Sequence, residues 1–216
     1  MDIVKLNFYP SLSANTYVIG KENEPALVFD PGFVPSGNPL RSYLEKHHQG
    51  KVLAYFLTHA HIDHVCSLDE SSIKAPLYLH FKEIKVLDNP RKNPSFSFLG
   101  SAYHLPSDIE INALNDGDEL CFSPYTIKVI ATPFHTIGSV CYYFEKENVL
   151  ISGDTLFHLS IGRTDLPTGS DKTIQSSLKK LASLPPNTKI YPGHGEASTI
   201  KEELSFNPYF INLLQK

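Results

Sequence analysis

The chain's 216 residues are 41% hydrophobic, 11% aromatic and 19% charged, a balance that excludes disordered and fibrous classes and suits one domain, spanning 1–216, with a full apolar core. Nineteen basic residues against 23 acidic ones give a net charge of −4, and the basic residues are scattered rather than interleaved with aromatics, which argues against a nucleic-acid partner. The start, Met1-Asp2-Ile3-Val4-Lys5, is unlike a secretory leader, and the most apolar run, Val52 to Leu57, falls far short of the roughly 20 residues of a membrane span. A cytoplasmic protein without a membrane partner is expected. Cys66, Cys121 and Cys141 lack the spacing of a disulfide framework or a cysteine metal site, so they read as inert thiols of a reducing compartment.

Strand signals come first, at Ile3 to Phe8, Asn15 to Ile19 and Ala26 to Phe29, the last stopped by the turn Asp30-Pro31-Gly32. Leu40, Tyr43 and Leu44 at i, i+3 and i+4, with Gly50 beyond, predict a helix over Pro39 to His48 whose solvated end is Lys46, His47, His48 and Lys51. The run Val52 to Leu57 suits a strand buried on both faces. Further strands are expected at Leu77 to Leu79, Thr126 to Ala131, Val140 to Phe144, Val149 to Ser152 and Lys189 to Tyr191. Helices are expected at Lys172 to Leu181, Thr199 to Leu204 and Pro208 to Leu214, and Pro90 to Ser97 reads as a polar loop. Asp30, His59, His135, Asp154 and His194 each follow one of these strands, so five strand ends are candidates to converge on one site.

The segment Thr58-His59-Ala60-His61-Ile62-Asp63-His64 concentrates three imidazoles and a carboxylate, the ligand types that zinc prefers. Chance produces such a match on the order of once in a thousand chains of this composition. Four ligands on one short loop do not fit one tetrahedral ion, so two neighbouring ions are the natural reading. His59 and His61, two apart in an extended segment, face one side, and Asp63 and His64 lie further along, within reach of a second ion. Among the other histidines, local context favours His135, in Thr132-Pro133-Phe134-His135-Thr136, and His194, flanked by Gly193 and Gly195. Asp154, in Ser152-Gly153-Asp154-Thr155, carries a carboxylate able to bridge two cations. His80, His104 and His158 read as surface or core residues.

Taken in order, the His-x-His-x-Asp-His loop and then His135, Asp154 and His194 resemble the metal-binding pattern of the metallo-β-lactamase superfamily, over nearly the whole chain. That resemblance implies an α+β fold, the four-layer αββα sandwich, and two divalent metal ions per chain: zinc, with iron or manganese also compatible. It assigns His59, His61 and His135 to one ion, Asp63, His64 and His194 to the other, and Asp154 to both, with Asp30 of the Asp-Pro-Gly turn supporting the ligands from behind. Gly153-Asp154-Thr155-Leu156-Phe157, Gly162-Arg163-Thr164-Asp165, Pro192-Gly193-His194-Gly195 and Asn207-Pro208-Tyr209 are similar to short bacterial glyoxalase II-like hydrolases, which cleave S-hydroxyacylglutathione thioesters.

What this finer resemblance implies is cleavage of a small-molecule thioester, such as S-lactoylglutathione or a related S-hydroxyacyl thiol, by a metal-bridging hydroxide. Asp63 would act as the catalytic carboxylate that orients that hydroxide, and Arg163 would contact the substrate; a structural pair with Asp165 is the alternative for Arg163. Three readings compete: a mononuclear-iron persulfide dioxygenase, which has a similar Gly-Arg-Thr-Asp segment; a lactonase or phosphoesterase on the same fold; and a binding module with structural metals. Phe134 stands where the family usually has glycine, and is expected to narrow or reshape the pocket beside His135. The thiol carrier and the oligomeric state are left open.

Overall fold

Short apolar segments open the chain and pair edge to edge, because a strand of four residues buries its backbone polar groups only by hydrogen bonding to neighbours. The computed structural model describes residues 1–7, 12–32 and 38–214, and the chain divides into two compact units, Met1–Ala113 and Leu114–Lys216. In the first, β1 (Ile3–Leu6) pairs antiparallel with β2 (Thr16–Ile19), and β2 with β3 (Ala26–Phe29). β1 stops at Leu6, before the expected Asn7, and Phe8 lies outside the described residues. Asn38 caps α1 (Pro39–His48) by accepting from the Arg41 N–H, Pro39 sits where no N–H is required, and Gln49 in a left-handed conformation ends the helix.

This helix supplies the crossover that a parallel pair needs. The chain re-enters the sheet as β4 (Val52–Phe56), parallel to β3 on one side and to β5 (Leu77–His80) on the other; the expected burial on both faces holds from Ala54 to Leu57, whereas Leu53 at the strand's start is exposed. It is followed by α2 (Phe81–Leu87), α3 (Ser95–Leu99) and β6 (Ile111–Leu114), giving a six-stranded sheet in chain order, β1 to β6. Val28, Tyr55, Leu57, Leu77 and Leu79 form its core with Leu40 and Leu44 of α1 and Val86 of α2.

The second unit opens as an antiparallel meander of β7 (Glu119–Phe122), β8 (Tyr125–Ala131), β9 (Val140–Phe144) and β10 (Val149–Gly153). A small hairpin follows, β11 (Leu156–Phe157) with β12 (Ser160–Ile161). Helix α4 (Ile174–Ala182) then leads to β13 (Lys189–Pro192), which runs parallel to β10, and β14 (Ser198–Thr199) closes the edge, in the order β14-β13-β10-β9-β8-β7. Helices α5 (Ile200–Phe206) and α6 (Pro208–Leu214) end the chain. Leu178 and Leu181 of α4 pack on Ile130, Cys141, Leu150 and Ile190.

Two expectations need correction. The stretch read as a loop from Pro90 to Ser97 contains the start of α3, and the helix expected from Lys172 begins as a 3₁₀ turn, Asp171–Thr173, before α4. Strands β6, β7, β11, β12 and β14 and helix α2 were not anticipated, because two-residue strands carry no periodicity and β7 buries neither face fully. Among the described residues no helix is long and apolar enough to cross a membrane.

Candidate metal centre

In the first unit the chemistry is gathered at the ends of the parallel strands β3 and β4. Asp30, in a left-handed conformation, takes the Phe56 carbonyl with its backbone N–H at 2.8 Å and turns its carboxylate along the next strand end. One oxygen accepts the Thr58 N–H and the other the Thr58 hydroxyl, both at 2.7 Å. Since the Thr58 hydroxyl proton goes to Asp30, its oxygen, 3.2 Å from His59 Nδ1, can only accept. The proton of His59 is thereby placed on Nδ1, and the Nε2 lone pair faces His61 Nδ1 at 3.1 Å.

His64 follows on a 3₁₀ turn, Ile62–His64, and is fully buried. Its Nδ1 lies 3.0 Å from the carboxylate of Asp30, which favours the proton on that nitrogen and leaves Nε2 facing Asp63 Oδ2 at 3.7 Å. Gly32 is obligatory beneath this loop: a Cβ there would stand 2.6 Å from the Asp63 carbonyl and 2.7 Å from Ser13 Oγ. Glu83 of α2, a buried carboxylate, accepts the Ala60 N–H at 2.8 Å between the first two histidines. Nothing in the sequence pointed to it, since a glutamate in a short helix looks like a surface residue.

In the second unit the candidates again sit at strand ends. The Thr132 and Thr155 hydroxyls, 2.7 Å apart, join the loops after β8 and β10, and the Gly193 N–H donates to the Gly153 carbonyl at 2.8 Å, joining the loops after β10 and β13. One oxygen of Asp154 lies 3.5 Å from His135 Nε2 and 3.8 Å from His194 Nε2. His135 Nδ1 is 2.8 Å from the Arg163 carbonyl; a carbonyl only accepts, so Nδ1 carries the proton and the Nε2 lone pair is the one presented toward Asp154.

The donor chemistry fits a metal. Zinc–nitrogen bonds of about 2.0–2.1 Å put two tetrahedral ligand atoms roughly 3.3 Å apart, close to the His59–His61 separation of 3.1 Å. A carboxylate oxygen at 3.5 and 3.8 Å from two imidazoles has the spacing of a shared ligand. His59, His64 and His135 each have the second ring nitrogen facing a hydroxyl, a carboxylate and a carbonyl respectively, the arrangement that fixes tautomer and aim in metal-binding histidines.

Other sequence expectations are settled locally. Phe134 is buried in the core of the second unit with Leu156 and Ile161, so it anchors the His135 loop. His80 caps α2, His104 is exposed, and His158 pairs with Glu202 at 3.1 Å. Arg163 holds both carboxylate oxygens of Asp165 at 2.6 Å on the surface, so the structural pair that was the alternative to a substrate contact is present. Its hydrogen bonds pull the Asp165 carboxyl down to about 2 and raise the arginine. Burial, and then the nearby Asp63 carboxylate, push the Cys66 thiol up to about 12, Cys141 is buried and Cys121 is exposed.

Residues 10–194 match the metallo-β-lactamase superfamily profile, and the chain belongs to that superfamily. A probable metallo-hydrolase of Bacillus subtilis is 37% identical over 208 residues, covering 92% of each chain. Among solved structures, the BLEG-1 B3 metallo-β-lactamase is 34% identical with a TM-score of 0.85, covering 97% of this chain and 99% of that one. TTHA1623, solved in a di-iron-bound form, is 32% identical with a TM-score of 0.79, covering 97% and 100%. The fold is the α+β metallo-β-lactamase fold, and the relatives class the chain with metal-dependent hydrolases.

Proposed function

We propose that His59, His61, Asp63 and His64 of the first unit and His135, Asp154 and His194 of the second hold one centre of two divalent metal ions, and that the whole chain works as a single thioester hydrolase of the glyoxalase II-like kind. The observation that carries this is the pairing, within each unit, of ligand-type atoms at 3.1 to 3.8 Å, with the ring protons of His59, His64 and His135 placed on the far nitrogen. The family match from residue 10 to His194 supports joining the two sets, and the di-iron neighbour supports iron beside zinc as an occupant.

When bound, two such ions lower the pKa of a water to near neutral and polarise an acyl carbonyl. Asp63 orients the attacking water and accepts its proton; its side chain is partly exposed and Nε2 of His64 is its neighbour at 3.7 Å. A thiolate leaves without strong acid assistance, so no further proton donor is required. Arg163 engages an anionic part of a small-molecule substrate by exchanging Asp165 for it. Arg163→Ala is then expected to raise KM about threefold to fivefold, with kcat changed much less, since a solvent-exposed charge contributes only a small, uniform part of binding. Nucleic acid and membrane are not partners in this reading, and the cytoplasm is its setting.

The test is elemental analysis of purified protein with S-lactoylglutathione hydrolysis assayed on the same sample. About two metals per chain are expected, and chelation is expected to reduce the rate by at least 10³-fold, because water without a cation near it keeps a pKa of about 15.7. A single iron, with oxygen uptake on a glutathione persulfide and no thioester cleavage, would replace this reading by the dioxygenase.

A further inference from the structure

Asn207-Pro208-Tyr209, prominent in the sequence, has so far no part in the site. Asn207 stands between α5 and α6, one turn after Glu203, and both side chains are fully buried. A buried carboxylate persists only if it is hydrogen-bonded. Glu203 accepts the Leu159 N–H with its two oxygens, at 3.2 and 3.0 Å, and one N–H of the Asn207 amide at 2.7 Å. That amide also donates to the Ser160 carbonyl at 3.2 Å, while its own oxygen accepts the Tyr209 N–H at 3.0 Å, which fixes its orientation.

Leu159 and Ser160 belong to the β11–β12 hairpin, whose pairing of Phe157 with Ser160 leaves His158 and Leu159 as the turn. Leu159 has a φ of 56° and is exposed. An L-leucine resists that conformation, and it persists where surrounding contacts impose it. Here the imposed contact is the carboxylate of Glu203 on its N–H.

Both ends of this hairpin reach the candidate ligands. Its first strand starts two residues after Asp154. Its second runs into Gly162, where a Cβ would collide with the Asp154 carbonyl and lie 3.1 Å from His135 Nδ1, and then into Arg163, whose carbonyl faces that same nitrogen at 2.8 Å.

We infer that Glu203 and Asn207 are positioning residues, a buried clamp that holds the strained Leu159 turn and through it sets the aim of His135 and the placement of Asp154. The inference rests on the reading that these two residues bind metal.

The experiment measures zinc affinity of the full chain by competition with a chromophoric chelator, and the visible spectrum of the cobalt-loaded protein. Glu203→Ala and Asn207→Ala are each expected to weaken zinc about tenfold, in the range typical of groups that orient ligands, and to shift the cobalt bands. Glu203→Gln, which keeps an acceptor for Asn207, is expected to lose less, and it decides the matter if the alanine variant does not fold. Leu159→Gly in the Glu203→Ala background is expected to recover part of the affinity, because glycine needs no clamp to hold that φ. Unchanged affinity and spectrum in folded Glu203 and Asn207 variants would overturn the inference while leaving the metal site standing. A wild-type protein that binds neither zinc nor cobalt would overturn both.

Discussion

Gly162→Ala is expected to cost about 3 kcal/mol of stability and to weaken the metal binding proposed for His135 and Asp154. The added methyl would enter the space of the Asp154 carbonyl oxygen, stand 3.1 Å from the Asp154 carbonyl carbon and 3.1 Å from His135 Nδ1. None of these is the yielding tip of a flexible side chain. Two are backbone atoms of Asp154, just past the end of β10, and the third is a ring held by the Arg163 carbonyl. Overpacking of this kind in a dense interior costs 1–3 kcal/mol and occasionally more. In a chain of this size that lowers the melting temperature by roughly 6 to 12 °C. Moving the segment from Ser160 to Arg163 also withdraws the carbonyl that orients His135, so metal affinity falls with stability. Thermal melts and metal analysis on the same preparation check both; a variant that melts within about 2 °C of wild type and retains its metal would contradict the packing argument.

Asp30→Ala is expected to be at least as damaging in the first unit, by about 3–5 kcal/mol. The carboxylate takes the Thr58 N–H and hydroxyl and faces His64 Nδ1, all at 2.7 to 3.0 Å, and is itself buried. Its removal leaves buried donors unsatisfied, each costing about 1–3 kcal/mol. It also frees two ring protons. The Thr58 hydroxyl no longer has to accept from His59, and His64 loses the charge that keeps its proton on Nδ1. Asp30→Asn, which preserves volume, separates the effects: its NH₂ group must face one of the existing donors, so the variant is expected to fold less stably and to bind metal more weakly. Nitrogen-15 chemical shifts of the His64 ring read the tautomer directly, and a ring still protonated on Nδ1 in Asp30→Asn would show that the carboxylate does not set it.

Both predictions concern residues that do not belong to the proposed ligand set, and this marks how far the sequence could be read. The histidine loop, His135, Asp154 and His194 were legible as ligand candidates because metal chemistry restricts residue type and because each lies just past an apolar run that becomes a strand. Asp30 was legible as the end of β3. Its partners were not, since the bonds to Thr58 and His64 span 28 and 34 positions along the chain and exist only once β3 and β4 lie side by side. Phe134 shows the reverse error: an aromatic next to a ligand suggests a pocket wall, yet the loop's turn after β8 sends it into the core.

The sequence by itself determined the elements with strong periodicity or uninterrupted apolar character, α1, β3, β9 and α6 to the residue, together with the family and the types of atom available to bind metal. Tertiary structure alone decided which proton His59, His64 and His135 keep, why residue 162 must be glycine, and what Glu83 and Glu203 do. Side-chain type and local periodicity are written along the chain, whereas a hydrogen bond from a helix to a distant loop depends on where folding brings the two segments, and no local pattern records that.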